Sequence, residues 1–402
     1  MTSGSPTVGI VGAGQLARMM AEAASAIGVR TAVLAARADD AAVDVASEVI
    51  LGEATDNLAL RALSASSDVV TFDHEQVDLG LICDLEHEGV PVRPGVETLR
   101  VAVDKGVMRT RLAAAGLPVP GYELLGVAGS PGRAPSELLA SIDAFASQQG
   151  WPVVVKAARG GYDGKGVWPV AGSPAALALC EDAAAASTPL LLETHVDIDF
   201  ELAVVVARGR DGSSVAWPPV ETAQIRGVCR EVRYPGRLDP ELADAAGALA
   251  LEVARVVGAT GVLAVELFAS RGRLLVNEIA ARPHNSAHWT IEGATTSQFE
   301  NHVRAVLGLP LGDTSPVAPH VASVNVFGPP SGETADPATR LVDALAVRGA
   351  HVHLYGKEPR PGRKLGHVTV CGGDPVDVRS RAWAAARALG SPVPDDIYVG
   401  TS

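Results

Sequence analysis

The first 28 residues leave little choice of fold. TVGIV, then GAGQLA, then an apolar-periodic stretch to Gly28 read as a strand, a glycine turn and a helix. A strand that runs straight into a helix pairs next with a parallel neighbour, because the helix covers one face of the sheet. RTAVLAA supplies a second buried strand and SDVVTFDHE a third, which predicts a parallel α/β domain over residues 1–105. DKGVMRTRLAAAG follows as a helix stopped by Gly116 and Pro118.

The 402 residues exceed what one core organises, so two or three domains are expected. Gly126 to Ser136, rich in Gly, Pro and Ser, reads as an exposed connection. From Trp151 the pattern turns to strands: PVVVK and VWPV around the loop RGGYDGKG, then LLLETHV and DFELAVVV. A long helix, PELADAAGALALEVARVVG, precedes the hairpin GVLAVELFASRGRLLVNEIAAR, and HVHLYGKEPRPGRKLGHVTV suggests a small β module near the end. The chain is thus read as a multidomain α/β and α+β protein. A formal charge of −13 argues against nucleic-acid binding, which draws its affinity from neutralised phosphates. No apolar run is long enough for a membrane helix and no secretory leader is recognised, so a cytoplasmic protein is expected. The four cysteines show neither zinc nor disulfide spacing.

Four clusters carry chemistry. GAGQLA presents backbone N–H groups at a helix start, where an anion is favoured. Arg37 at the second strand's end would suit an NADP phosphate, which leaves an oxidoreductase open, but a lone phosphate fits this turn better. Asp73 and Glu75 would face the same crevice, and either is a candidate to meet the ligand. In the hairpin, a loop of Arg271–Arg273 pairs residues 270 and 274 and sets Glu266 opposite Glu278. Two opposed carboxylates repel unless a cation lies between them, and Mg²⁺ on phosphates answers that need, with Asn277 as a neutral oxygen. ARPHNSAHWT, directly after, offers Arg282, His284, Asn285 and His288 as donors for a small oxyanion. The run Lys357, Arg360, Arg363 and Lys364 would hold a phosphate. Lys156 would reach nucleotide phosphates, and GGYDGKG, which is neither a Walker loop nor part of a kinase set, would fold over them.

In this order GAGQLARM, VTFDHE, VVKAARGGYDGKG, LLLETHVDIDFE, GVLAVELF, VNEIAARPHNSAHWT and RPGRKLGH resemble the 5-(carboxyamino)imidazole ribonucleotide synthetases. These are ATP-grasp enzymes of purine biosynthesis, and the resemblance spans about residues 8–370. Ala287 stands where the family pattern has glycine, and FDHE replaces the commoner FEFE.

The resemblance implies a pre-ATP-grasp domain (1–105), a two-lobed ATP-grasp domain (106–310, lid about 120–190) and a C-terminal β-rich module (311–402). It implies that ATP phosphorylates bicarbonate to carboxyphosphate, whose CO₂ is captured by the amine of 5-aminoimidazole ribonucleotide. Lys105 and Lys156 would then hold ATP phosphates, under the loop glycines Gly161, Gly164 and Gly166. Glu193 and Val196 would meet adenine and Glu201 the ribose. Glu266 and Glu278 would carry Mg²⁺, while Arg282, His284 and Asn285 position bicarbonate. Tyr162, Asp163, Lys165 and Lys364 would face the bicarbonate and imidazole side. Gly14, Gln15, Leu16, Lys357, Arg363 and Lys364 would take the ribonucleotide, with Glu75 accepting from its amine. Arg159 is left without a role. A homodimer is implied. A formate-dependent glycinamide ribonucleotide ligase of the same fold is the nearest alternative, and RPGRKLGH argues against it.

Overall fold

The computed structural model describes residues 4–125, 134–160, 165–186, 189–225, 227–329 and 336–393. Its N-terminal sheet holds four parallel strands, β1 (Thr7–Val11), β2 (Arg30–Ala35), β3 (Glu48–Leu51) and β4 (Val69–Phe72), in the order β3-β2-β1-β4. The sequence reading had passed over β3. Its residues EVIL form a largely exposed edge, so no buried apolar run announces it. Helices α1 (Gln15–Ala26), α2 (Asn57–Ala65), α3 (Leu79–His87) and α4 (Val96–Val103) complete this unit. Asp56 and Asp78 cap α2 and α3, each accepting two first-turn N–H bonds, a contribution of about 1 kcal/mol apiece.

Helix α5 (Lys105–Ala114) starts on the same kind of cap, Asp104, and leads into a smaller antiparallel sheet. That sheet comprises β5 (Tyr122–Leu125), β6 (Val153–Ala157), β7 (Val167–Val170) and β8 (Leu190–Thr194), ordered β5-β8-β6-β7. Helices α6 (Pro135–Gln149) and α7 (Ser173–Ala186) cover it. Most of the expected connection 126–136 lies outside the described residues, but Pro135 and Ser136 already belong to α6, where proline suits a first helical turn.

The third sheet has nine strands: β9 (Phe200–Arg208), β10 (Ser214–Ala216), β11 (Val220–Ile225), β12 (Val228–Tyr234), β13 (Gly261–Ser270), β14 (Arg273–Ala280), β15 (His320–Phe327), β16 (Ala350–Leu354) and β17 (Lys364–Gly372). The path runs β14-β13-β9-β11-β12-β15-β17-β16, with β10 beside β9. The last three strands thus extend this same sheet through the β12–β15 pairing. Helix α8 (Pro240–Val257) seals one face, its Ala250, Val253 and Val257 packing on Leu263, Val265 and Leu267. Even-numbered residues of β13 point the other way, Val262 and Ala264 into the cluster around Trp217 and Trp289, Glu266 and Phe268 into the cavity described below.

The β13–β14 hairpin departs from the expected register near its turn. Arg271 and Gly272, both at positive φ, form a two-residue turn, and Ser270 pairs with Arg273, not residue 274. A bulge between Glu266 and Leu267 then absorbs one extra residue, so Glu266 still faces Glu278. Short helix α9 (Thr290–Gly293) and α10 (Gln298–Leu307) follow. Phe299, Val303 and Val306 of α10 enter the core of the N-terminal unit beside Val8, Ile10 and Met20. Helices α11 (Leu341–Leu345) and α12 (Pro375–Ala388) finish the fold, α12 packing on β15 and β17.

Candidate active site

A cavity of about 1050 Å³ opens where the three sheets meet. The N-terminal unit contributes His74 to Gly80, the small sheet Lys156 and Glu193, and the large sheet Glu266 and Glu278. The bulge explains a local crowding of donors. Because Asn277 is the extra residue, Asn277 and Glu278 both reach the cavity although they are adjacent in sequence. Glu278 Oε1 lies 2.5 Å from Lys105 Nζ, and Asn277 Oδ1 accepts from Lys156 Nζ at 3.1 Å.

Beneath this floor runs a buried ion network. Glu193 gives one oxygen to Arg109 Nε at 2.5 Å and the other to Lys156 Nζ at 2.6 Å. Burial alone would push the Glu193 carboxyl up, but Arg109 and Lys156 outweigh it and hold the group below its ordinary range. Arg109 also donates to the Asn277 carbonyl at 2.6 Å, so one guanidinium ties the small sheet to the bulge. Both Glu193 side-chain oxygens are therefore committed to cations, while the residue itself lines the cavity where its contact with adenine is expected. Val196, past the end of β8, and Glu201 on β9 do line the cavity. Burial raises the Glu201 carboxyl, with Lys156 opposing. Arg109 was missed in the sequence, although it stands one helical turn after Lys105 on the same face.

Arg282, His284 and Asn285 line the same cavity beside Glu266, with His284 Nε2 3.7 Å from Glu266 Oε1. Burial first, then the Arg282 and Lys364 charges, hold the His284 imidazole well below its ordinary value, so it is neutral. Its Nδ1 lies 2.9 Å from Ser286 Oγ. Glu75 accepts from the Ala281 N–H at 2.7 Å and pairs with Arg282 Nε at 3.4 Å. That carboxylate is an anchor for the 281–285 loop, and it also lines the cavity where its expected role as acceptor for an amine would be exercised.

The remaining candidates gather elsewhere. Gly14 donates its N–H to Asp73 Oδ2 at 2.5 Å, and a Cβ on Gly14 would sit 2.6 Å from that oxygen. Glycine is required by that approach, which ties the turn expected to meet the ribonucleotide to Asp73. Gln15 and Leu16 open α1, and Lys357 donates to the Gln15 side chain. Lys357 is lowered by burial and then by Arg363, while Arg363 donates to the Glu358 carbonyl at 3.1 Å. Lys364 begins β17, 5.9 Å from the Phe327 ring, and its charge reaches His284. None of these six residues lines the cavity of the previous paragraphs. Asp73 links the two groups, since the charges of Arg282 and Lys357 both act on it. Arg37 pairs with Asp39 on an exposed loop, and Arg159 binds the Asp104 cap at 2.6 Å. Lys165 and Gly166 lead into β7, whereas Gly161, Tyr162, Asp163 and Gly164 lie outside the described residues.

The donor set tests the expected metal. Glu266, Glu278 and Asn277 are all oxygen donors, as a hard cation prefers, and Mg²⁺ needs only one or two carboxylates when phosphates and water complete its shell. Among the described residues no cluster of three or more His, Cys, Asp or Glu offers a self-contained cage. A nucleotide-bridged cation fits these residues.

Family comparison meets this geometry part by part. Residues 5–103 match the ribonucleotide synthetase preATP-grasp domain, 112–299 the ATP-grasp domain, and 322–381 the phosphoribosylaminoimidazole carboxylase C-terminal domain. Fold and cavity together define an ATP-grasp ligase. N5-carboxyaminoimidazole ribonucleotide synthases of Mycobacterium bovis and Corynebacterium ammoniagenes are 47% and 40% identical over 387 and 392 residues, covering 96% of this chain and 88% and 92% of theirs. The Thermus thermophilus synthetase superposes with a TM-score of 0.82 at 34% identity, over 96% of this chain and 99% of that one. The Aspergillus clavatus synthase in complex with ADP and 5-aminoimidazole ribonucleotide gives 0.84 at 27% identity over the same shares. The chain belongs to the N5-carboxyaminoimidazole ribonucleotide synthase family, and its reaction is the ATP-dependent carboxylation of 5-aminoimidazole ribonucleotide in purine biosynthesis.

Proposed function

We propose that the cavity phosphorylates bicarbonate with ATP and delivers the resulting CO₂ to the exocyclic amine of the imidazole. Bicarbonate oxygen attacks the γ-phosphorus, ADP leaves, and carboxyphosphate splits into CO₂ and phosphate. The amine nitrogen then bonds to the CO₂ carbon, and its surplus proton passes to phosphate. The observation that carries this reading is one of placement: opposed Glu266 and Glu278 share the cavity with Arg282, His284 and Asn285. A phosphoryl site and an oxyanion site thus lie side by side.

In this reading Lys105 and Lys156 leave their present carboxylate partners for ATP phosphates, Glu201 binds the ribose, and Val196 borders adenine. Gly161, Gly164 and Gly166 serve the ATP phosphates. Glu266, Glu278 and Asn277 hold Mg²⁺, which supplies charge to offset that on the transferred phosphoryl group. Arg282, as a cation, and neutral His284, as an N–H donor, fix the bicarbonate oxygens together with Asn285. Tyr162, Asp163, Lys165 and Lys364 serve the carboxyphosphate side of the reaction, and survival of that intermediate requires exclusion of water. Gln15, Leu16, Lys357 and Arg363 take the ribonucleotide phosphate. A cytoplasmic homodimer completes the reading, carried over from the resemblance.

Phosphate release with each substrate omitted in turn tests it. Full release is expected only with ATP, bicarbonate and 5-aminoimidazole ribonucleotide together. Robust release with glycinamide ribonucleotide and formate, and none with the imidazole, would sink it.

A further inference from the structure

The loop carrying Arg282, His284 and Asn285 has two anchors. Glu75 holds its start. The other anchor is Gln298, the first residue of α10, whose side chain is fully buried. Its Oε1 accepts from the His284 backbone N–H at 2.8 Å, and its Nε2 donates to the His284 carbonyl at 2.7 Å. Those backbone roles are invariant, so they fix which end of the amide is nitrogen. That nitrogen also lies 3.2 Å from His288 Nδ1, which must then be the unprotonated acceptor. The backbone N–H of Gln298 meets Thr290 Oγ1 at 3.0 Å, and this hydroxyl donates to the Ala287 carbonyl at 2.6 Å. One residue therefore clamps the loop at 284, 288 and, through Thr290, at 287.

We propose that Gln298 is a positioning residue for carboxylation: its amide sets the 282–285 loop so that the Arg282, His284 and Asn285 donors converge in the cavity. The inference rests on reading those three as the bicarbonate site. The loop uses one acceptor and two donors of this side chain at once, a combination that a carboxylate does not offer. An ionised glutamate keeps the acceptor and loses both donors, setting a carboxylate against the His284 carbonyl. Burial raises such a carboxyl, and protonation returns one donor. The titratable groups in contact with this position are His284 and His288, and burial first, then the Arg282 and Lys364 charges, keep both imidazoles neutral.

The test uses full-length Gln298→Glu and Gln298→Met, with ATP, bicarbonate and 5-aminoimidazole ribonucleotide varied one at a time. Both variants should lose about tenfold in kcat/KM for bicarbonate, with KM for ATP within about twofold of the native value, an unpaired buried polar group being worth a factor of that order. From pH 8.5 to 6.5 the ratio of Gln298→Glu to native activity should rise several-fold, while the Gln298→Met ratio stays flat. Bicarbonate kinetics within twofold of native, losses shared equally by all three substrates, a flat ratio for Gln298→Glu, or failure of both variants to fold would each overturn the proposal. Arg282→Ala separates the two layers. Unchanged bicarbonate kinetics there would remove the reading of the loop itself, whereas a raised bicarbonate KM beside native-like Gln298 variants would remove only the positioning role.

Discussion

Glu278 shows how much one side chain is asked to do. It is a bulge neighbour, the partner of Lys105 and one of the two opposed carboxylates. Removing its charge while keeping its shape leaves Lys105 without a counter-charge and halves the anionic pair proposed for Mg²⁺. Because the side chain is 39% exposed, the fold has little stake in it. Glu278→Gln is expected to melt within a few degrees of the native protein and to lose about a hundredfold or more in kcat, the loss a missing metal ligand produces. Near-native turnover of the folded variant would exclude Glu278 as an essential ligand. Arg109 and Glu193 sit at the opposite extreme, both buried. Arg109→Met leaves the buried Glu193 carboxylate with Lys156 as its remaining cation, which costs up to about 3–5 kcal/mol, so a fall in the unfolding midpoint should accompany any fall in rate. Chemical denaturation checks that pairing of effects.

At the level of elements, the hairpin explains both what the sequence discloses and what it hides. Alternation in VLAVELF and LLVNEIA makes the two strands legible, and the opposed glutamates follow from any register in which residue numbers sum to 544. The turn in fact uses one residue fewer, and the bulge at Asn277 restores the sum. No local propensity marks a bulge, so the pair was legible while the route to it was not. Glu75 and Glu193 were legible as acids near a site, but their partners lie on other elements, and only the fold could show that their oxygens are spent. Helix α10 was likewise opaque, since its importance comes from joining two units. His302 on that helix accepts from the Val262 N–H at 3.0 Å through Nδ1 and meets Thr71 Oγ1 at 2.8 Å through Nε2. Burial lowers it to about 3. Below about pH 6.5 the unfolded chain binds a proton that the folded one refuses, so stability falls as pH drops from there toward 3. His302 alone adds a slope of up to about 1.4 kcal/mol per pH unit. His302→Gln, which keeps an acceptor and a donor but does not titrate, should flatten the acid side of the stability profile measured by denaturant unfolding between pH 7 and 5. Equal slopes in the two proteins would count against this account.

Across the whole molecule, the N-terminal unit and the two sheets that follow it border one cavity, and the C-terminal strands, which do not line it, are joined to the large sheet. HVHLYGKEPRPGRKLGHVTV suggests a small β module of its own, which the resemblance starts at residue 311, because a sheet spanning two sequence regions leaves no local trace. The structure instead pairs Glu231 to Tyr234 of β12 with Val321 to Val324 of β15. Glu231, fully buried, receives Arg379 of α12 in a bidentate pair at 2.7 and 3.0 Å. Lys357, from the same C-terminal region, reaches back to Gln15 of the first unit. Ending the chain at residue 318 would therefore open the edge of β12, expose the apolar face that Val321 and Trp289 share, and leave Glu231 buried and unpaired. The lost ion pair alone costs about 3–5 kcal/mol, a large fraction of an ordinary domain's stability. The 1–318 chain is expected to be aggregation-prone and to show no cooperative unfolding transition by calorimetry. A soluble fragment with a sharp transition and native-like ATP affinity would show that the C-terminal strands are an accessory, and that the large sheet is complete at β12.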